Sequence, residues 1–170
     1  DVPEIAKHDI PVIEDCAHAF GLRAGGEALG TRGRAGVLSF YATKLIGAGE
    51  GGALVTADPD IAAFTRQWRD YADQPADGTR LNDKMTDMEA ALADTQLLRL
   101  RDMLDRRRRL AKRYDKRLGG LVESRELYNL PAVGERRVWY RYAVELKRSP
   151  ATEVIEAMRR RGVEAAVPVT

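Results

Sequence analysis

Lys44 follows an apolar stretch and precedes a glycine-rich turn. Phe40, Tyr41, Ala42, Leu45 and Ile46 are its neighbours, and Gly47-Ala48-Gly49-Glu50-Gly51-Gly52 comes next. A Schiff base requires a neutral amine, and apolar surroundings disfavour the charged form of a lysine. The same position also suits an ordinary surface lysine at a strand end. Asp15 closes a second apolar run, Pro11 to Asp15. An acid in that place could hold a proton on the ring nitrogen of an electron-sink cofactor. Ser39, at the tip of a third run, offers a hydroxyl to a phosphate. Acid, hydroxyl and amine together meet the needs of pyridoxal 5'-phosphate (PLP), although their spacing alone does not establish it.

These residues need strands that end side by side. Pro11 to Asp15, Val37 to Tyr41 and Ala53 to Thr56 have the short apolar pattern of buried strands. Between the first two, Gly21, Gly25, Gly26, Gly30, Gly33 and Gly36 predict turns or a short exposed hairpin. An α/β layer with a site at its strand ends is the expected architecture. Asp58-Pro59 opens a helix whose Ile61, Phe64, Trp68 and Tyr71 should form a buried aromatic face. Thr86 and Glu89 make a capping box for a helix with Met88, Ala91, Leu92 and Thr95 on one stripe. That helix is expected to run, with a kink, to Leu118 and to stop at Gly119-Gly120. Beyond an irregular connector with Pro131, Val138 to Val144 reads as a strand, followed by a helix capped at Ser149-Pro150 that ends near Gly162, and by a final strand at Val167 to Thr170.

Composition narrows the function classes. The chain has 170 residues, 44% hydrophobic and 32% charged, enough for one domain and a small appendage. No apolar run approaches the roughly 18 residues that span a bilayer, and no leader pattern opens the chain, so a cytoplasmic protein without a membrane partner is expected. Cys16 is the single cysteine, and His8 and His18 are the only histidines, which leaves no ligand set for zinc. A formal charge of +2 does not by itself imply a nucleic-acid partner. The basic run Arg106 to Arg109, with Lys112, Arg113, Lys116 and Arg117, is read as a solvated helix face balanced by Asp102, Asp105 and Asp115. Leu104, Leu110, Ala111, Tyr114 and Leu118 would form its inward stripe.

Several of these segments closely resemble the DegT/DnrJ/StrS family: Val12-Ile13-Glu14-Asp15-Cys16-Ala17-His18-Ala19, Ser39-Phe40-Tyr41-Ala42-Thr43-Lys44, Gly49-Glu50-Gly51-Gly52-Ala53-Leu54-Val55-Thr56, and Arg80 through Ala91 with Gln96-Leu97. The Ser-Phe-Tyr-Ala-Thr-Lys and Gly-Glu-Gly-Gly segments are specific in combination. The resemblance implies an α/β, fold-type I PLP enzyme that aminates nucleotide-linked keto sugars from a donor such as glutamate. By that resemblance Lys44 bonds to the cofactor and later moves a proton between cofactor and substrate carbons. Asp15 pairs with the ring nitrogen, His18 lies against the ring where the family usually has glutamine, and Ser39 binds the phosphate. Asn82 resembles an asparagine that reaches the cofactor phosphate of the neighbouring subunit, which implies a homodimer with shared sites; its alternative role is that of a turn residue. Lys84 stands where the family usually has arginine, a point charge in place of a planar fork.

The resemblance further implies that residues 1–120 belong to the large cofactor-binding domain and its linking helix, with 121–170 beginning a small α+β domain. Without an initiator methionine, and with a strand under way at its end, the chain is expected to be part of a longer protein. The preceding half would supply a phosphate turn, a stacking aromatic and substrate contacts, so PLP should bind this chain alone poorly. Two other functions are weighed. A PLP-dependent sugar dehydratase of similar fold would carry histidine in place of Lys44. A regulatory or nucleic-acid-binding protein using the basic helix 101–117 would show salt-sensitive DNA binding.

Overall fold

A five-residue helix, α1 (Val2–Ala6), which the sequence patterns do not signal, precedes the first strand. β1 (Ile13–Asp15) is shorter than the apolar run containing it. The glycine-rich segment contains the expected hairpin, β2 (Arg23–Ala24) against β3 (Glu27–Ala28). Gly25 and Gly26 turn it with φ of 63° and 87°, in the left-handed region that glycine adopts without strain. β4 (Ala35–Ser39) runs parallel to β1 and pairs antiparallel with β5 (Gly52–Val55), giving the order β1-β4-β5. β4 starts and ends two residues earlier than expected, because Tyr41 already belongs to a turn in which its carbonyl accepts the Lys44 N–H at 2.8 Å. Gly36 is required in β4, since a Cβ there would overlap the Gly30 backbone.

The computed structural model describes residues 2–70, 81–124 and 137–167, and the chain divides into two compact units, Asp1–Asp105 with Arg136–Tyr140, and Arg106–Glu135 with Arg141–Thr170. Tyr71, Arg80, Pro131 and the end of the expected last strand, Pro168 to Thr170, lie outside the described residues. In the first unit the core gathers Phe40, Ile46, Ala48 and Ala93, with Phe20, Leu38 and Met85 packed against them.

α2 (Pro59–Arg69) begins as expected, with Asp58 Oδ1 accepting the N–H groups of Asp60 and Ile61 at 3.0 and 3.2 Å. Asp58 also pairs with Arg34, and that bond, followed by the Ile61 N–H, holds its carboxyl below the usual range. The aromatic face of α2 is not buried: Phe64 and Trp68 are 59% and 39% exposed and pack edge to face on each other at 5.7 Å. Their spacing correctly marks a helix; burial depends on what else packs there. α3 (Asp87–Leu97) carries the expected capping box, Glu89 N–H to Thr86 Oγ1 at 3.3 Å and Thr86 N–H to Glu89 Oε2 at 2.9 Å. Its expected stripe faces outward, Met88 and Leu92 being exposed, while Ala93 is buried.

The helical run breaks after Leu97, and α4 (Leu100–Glu123) continues through Gly119 and Gly120 instead of stopping there. A glycine inside a helix costs about 1 kcal/mol relative to alanine, which does not force an end. In the second unit Ala111 is buried, whereas Leu110 and Tyr114 of the expected stripe are exposed. Asp115 Oδ1 accepts the Tyr142 hydroxyl at 2.7 Å. Burial, then Asp115, push the Tyr142 phenol upward. No strand forms over Val138 to Val144, and Val163 to Val167 are likewise irregular. α5 (Ala151–Arg159) has Pro150 at its N-cap without a side-chain cap from Ser149, and it ends before the turn at Gly162.

Candidate active site

Because β1 and β4 are parallel, they finish at the same edge of the sheet. Asp15 is paired in register with Val37, and Ser39 lies two residues further along β4. Ligand sites of open α/β sheets lie outside such carboxyl ends. Asp15 is exposed, and its Oδ1 accepts the Ala17 N–H at 3.0 Å, a turn that fixes the direction of the carboxylate. Ser39 is half-buried, and its Oγ accepts the Tyr41 N–H at 3.4 Å.

Lys44 sits in the loop that joins β4 to β5. The loop is closed by its own backbone: Phe40 N–H to Gly51 O at 2.8 Å, Ala42 N–H to Gly49 O at 2.8 Å and Ala48 N–H to Phe40 O at 2.7 Å. Leu45, Ile46 and Ala48 are buried directly after the lysine, so its backbone is anchored while its side chain remains half-buried. Lys44 Nζ lies 2.5 Å from His18 Nε2. Amine and imidazole can therefore exchange a proton directly.

Asn82 is exposed in the extended segment before α3 and, among the described residues, bonds to none of the other four. Asp83 N–H donates to Arg69 O at 2.9 Å, and Lys84 pairs with Asp70 at 3.0 Å, which ties this segment to the end of α2. Cys16 is buried below the site; burial, then Glu14 and Asp15, push its thiol upward, which argues against a nucleophilic role.

Three residues beside these had no role assigned from the sequence. The Tyr140 ring stacks on His18 at 4.2 Å between centroids, its centre is 5.3 Å from Lys44 Nζ, and its hydroxyl is 3.3 Å from Thr43 Oγ1. Glu14, adjacent to Asp15, is buried and accepts the N–H groups of Arg32 and Gly33 at 2.7 and 2.8 Å. Burial alone would raise its carboxyl, but the N–H groups of Gly30, Gly33 and Arg32 outweigh this and hold it below the usual range. Gln96 of α3 bonds to Gly47 in the lysine loop. Alternation along β1 was the available signal for Glu14, since neighbouring strand residues face opposite ways. Nothing local marks Tyr140.

An amine against an imidazole, with a carboxylate and a hydroxyl at neighbouring strand ends, could serve proton transfer and the covalent holding of a carbonyl group. Residues 2–169 match the model of the DegT/DnrJ/EryC1/StrS aminotransferase family, and the chain belongs to that family. It is 36% identical over 160 residues to a dTDP-3-amino-3,4,6-trideoxy-alpha-D-glucose transaminase of Micromonospora megalomicea subsp. nigra, covering 90% of this chain and 42% of that protein. It is 32% identical over 171 residues to a GDP-perosamine synthase of Caulobacter vibrioides, covering 95% and 46%. The crystal structure of S. venezuelae DesV in complex with a ketimine intermediate superposes with a TM-score of 0.77 at 29% identity, over 96% of this chain and 44% of that one. The chain thus spans less than half the length of these relatives, and it has the α/β fold of the family. No described helix is long and apolar enough to cross a membrane.

Proposed function

We propose that this chain is the lysine-bearing part of a PLP-dependent aminotransferase that moves an amino group, from a donor such as glutamate, onto a nucleotide-linked keto sugar. The observation that carries this reading is the 2.5 Å approach of Lys44 Nζ to His18 Nε2 beside the strand ends of Asp15 and Ser39. The donor set fits part of the cofactor: an amine for its carbonyl, a carboxylate for its ring nitrogen and a hydroxyl for its phosphate lie on this chain. PLP, when bound, supplies an electron sink for the carbon that gains or loses the amino group.

The remaining steps fall to the protein. Asp15, oriented by the Ala17 N–H, holds the proton on the ring nitrogen. Ser39 donates its hydroxyl to the phosphate. Lys44 would hold the cofactor covalently, and its free amine would move a proton at the substrate carbon; His18, in contact with Nζ, would orient the amine and could relay that proton. Asn82 completes the site of a neighbouring chain in a homodimer. Residues 1–120 form part of the fold-type I large domain with its linking helix, 121–170 begin the small domain, and the enzyme acts in the cytoplasm. The names of the relatives, and a lysine rather than a histidine at position 44, favour amination over the dehydratase and nucleic-acid alternatives.

In the complete enzyme, borohydride reduction with PLP should place the phosphopyridoxyl group on Lys44, found by peptide mass spectrometry, and Lys44→Ala should abolish transamination. Even labelling of many lysines, or an alanine variant working at the parental rate, sinks the assignment. For Asn82, mixing Lys44→Ala with Asn82→Ala chains should restore part of the activity that each lacks, because one site of a mixed dimer keeps both residues. Verified mixed dimers without recovery would return Asn82 to a turn residue.

A further inference from the structure

The lysine loop is gripped from outside by one helix. Gln96, half-buried on α3, uses both ends of its amide on a single residue: Oε1 accepts the Gly47 N–H at 3.2 Å, and Nε2 donates to the Gly47 carbonyl at 2.5 Å. Gly47 lies three positions after Lys44, and Leu45 and Ile46 between them are buried. A Cβ at Gly47 would stand 2.7 Å from the Ala42 carbonyl, so the loop is closed tightly at this point. α3 touches the loop elsewhere too. Its Glu89 carboxylate faces the Glu50 N–H, its Ala93 shares a core with Ile46 and Ala48, and Met85 just before it fills the space beside Gly51.

We propose that Gln96 is a positioning residue for Lys44: its paired bonds to Gly47 fix the loop so that the amine meets His18 and the cofactor carbonyl in one geometry. The role of Lys44 toward the cofactor rests on the reading given under Proposed function. An amide suits this task because it satisfies a donor and an acceptor at once and adds no charge to the lysine's loop. A carboxylate could only accept, leaving the Gly47 carbonyl without its donor.

Gln96→Met keeps the side-chain length and removes both bonds; Gln96→Glu keeps only the acceptor. In the 170-residue chain without cofactor, amide hydrogen exchange over residues 40–49 should quicken about tenfold in Gln96→Met and less in Gln96→Glu, with 53–69 unchanged. In the complete enzyme, borohydride-trapped PLP on Lys44, relative to that on Lys7 and Lys112, should fall about tenfold in the same order. A purely structural role would lower the melting temperature without changing that ratio. Unchanged exchange over 40–49, or wild-type preference for Lys44 that survives Gln96→Met, overturns the proposal alone. Wild-type Lys44 labelled no faster than Lys7 and Lys112 overturns the cofactor reading and the role of Gln96 with it. Should Gln96→Met fail to fold, Gln96→Glu decides by the same two measurements.

Discussion

Two glycine-rich loops flank β4, and they are fastened by different chemistry. The loop before the strand closes on the buried carboxylate of Glu14, which takes the N–H groups of Arg32 and Gly33. The loop after it, which carries Lys44, closes on its own backbone and on the neutral amide of Gln96. A charged acceptor makes the stronger bonds, but it ties the loop to the protonation state of an acid. A neutral one gives a weaker hold that is indifferent to pH. On the role proposed for Lys44, the neutral clasp would keep loop geometry separate from movement of its proton.

The sharpest way to break this contrast is to remove the charged acceptor. Glu14→Ala leaves the Arg32 and Gly33 N–H groups without their partner and should cost about 3 kcal/mol in urea unfolding. Gln96→Ala, which removes neutral bonds from a half-buried position, should cost about 1 to 2 kcal/mol. The reverse order would mean that the lysine loop is the more tightly held. A smaller effect concerns pH. The folded Glu14 carboxyl lies below its ordinary value, so its stabilisation is complete above the usual carboxylate range, about pH 4.3, and is lost as pH falls through the lowered folded value. The stability gap between the parent and Glu14→Gln should therefore be constant at neutral pH and shrink in acid, while the gap to Gln96→Ala stays flat. Parallel curves for all three proteins down to acid unfolding would remove Glu14 as the source.

The same contrast explains what could be read before the fold was known. Asp58-Pro59 and Thr86-x-x-Glu89 announce α2 and α3 correctly because a cap is a contact between residues two or three apart. Burial is not local, so Phe64, Trp68 and Met88 are exposed although their spacing is that of an inward stripe. Val138 to Val144 has strand-forming residues, but a strand needs a neighbour to pair with, and this segment is irregular. At the site, Lys44 and His18 stand 26 residues apart and Tyr140 stands 97 beyond Thr43. Family likeness singles out Lys44, His18, Asp15, Ser39 and Asn82. Glu14 and Gln96 lie within the family-like segments, but their contacts, like those of Tyr140, emerge only from the packed chain.

The exposed aromatic pair on α2 has an optical consequence. The chain has two tryptophans, and they differ sharply in environment: Trp68 is 39% exposed beside Phe64, whereas Trp139, next to Tyr140, is 6% exposed with the Arg137 guanidinium 5.1 Å from its ring centre. Emission from Trp68 should be red-shifted and readily quenched by acrylamide, and emission from Trp139 blue-shifted and shielded. Trp68→Phe leaves a single emitter, one residue from the ring that covers His18 and Lys44. The protein thereby contains its own fluorescent reporter for whatever occupies that corner.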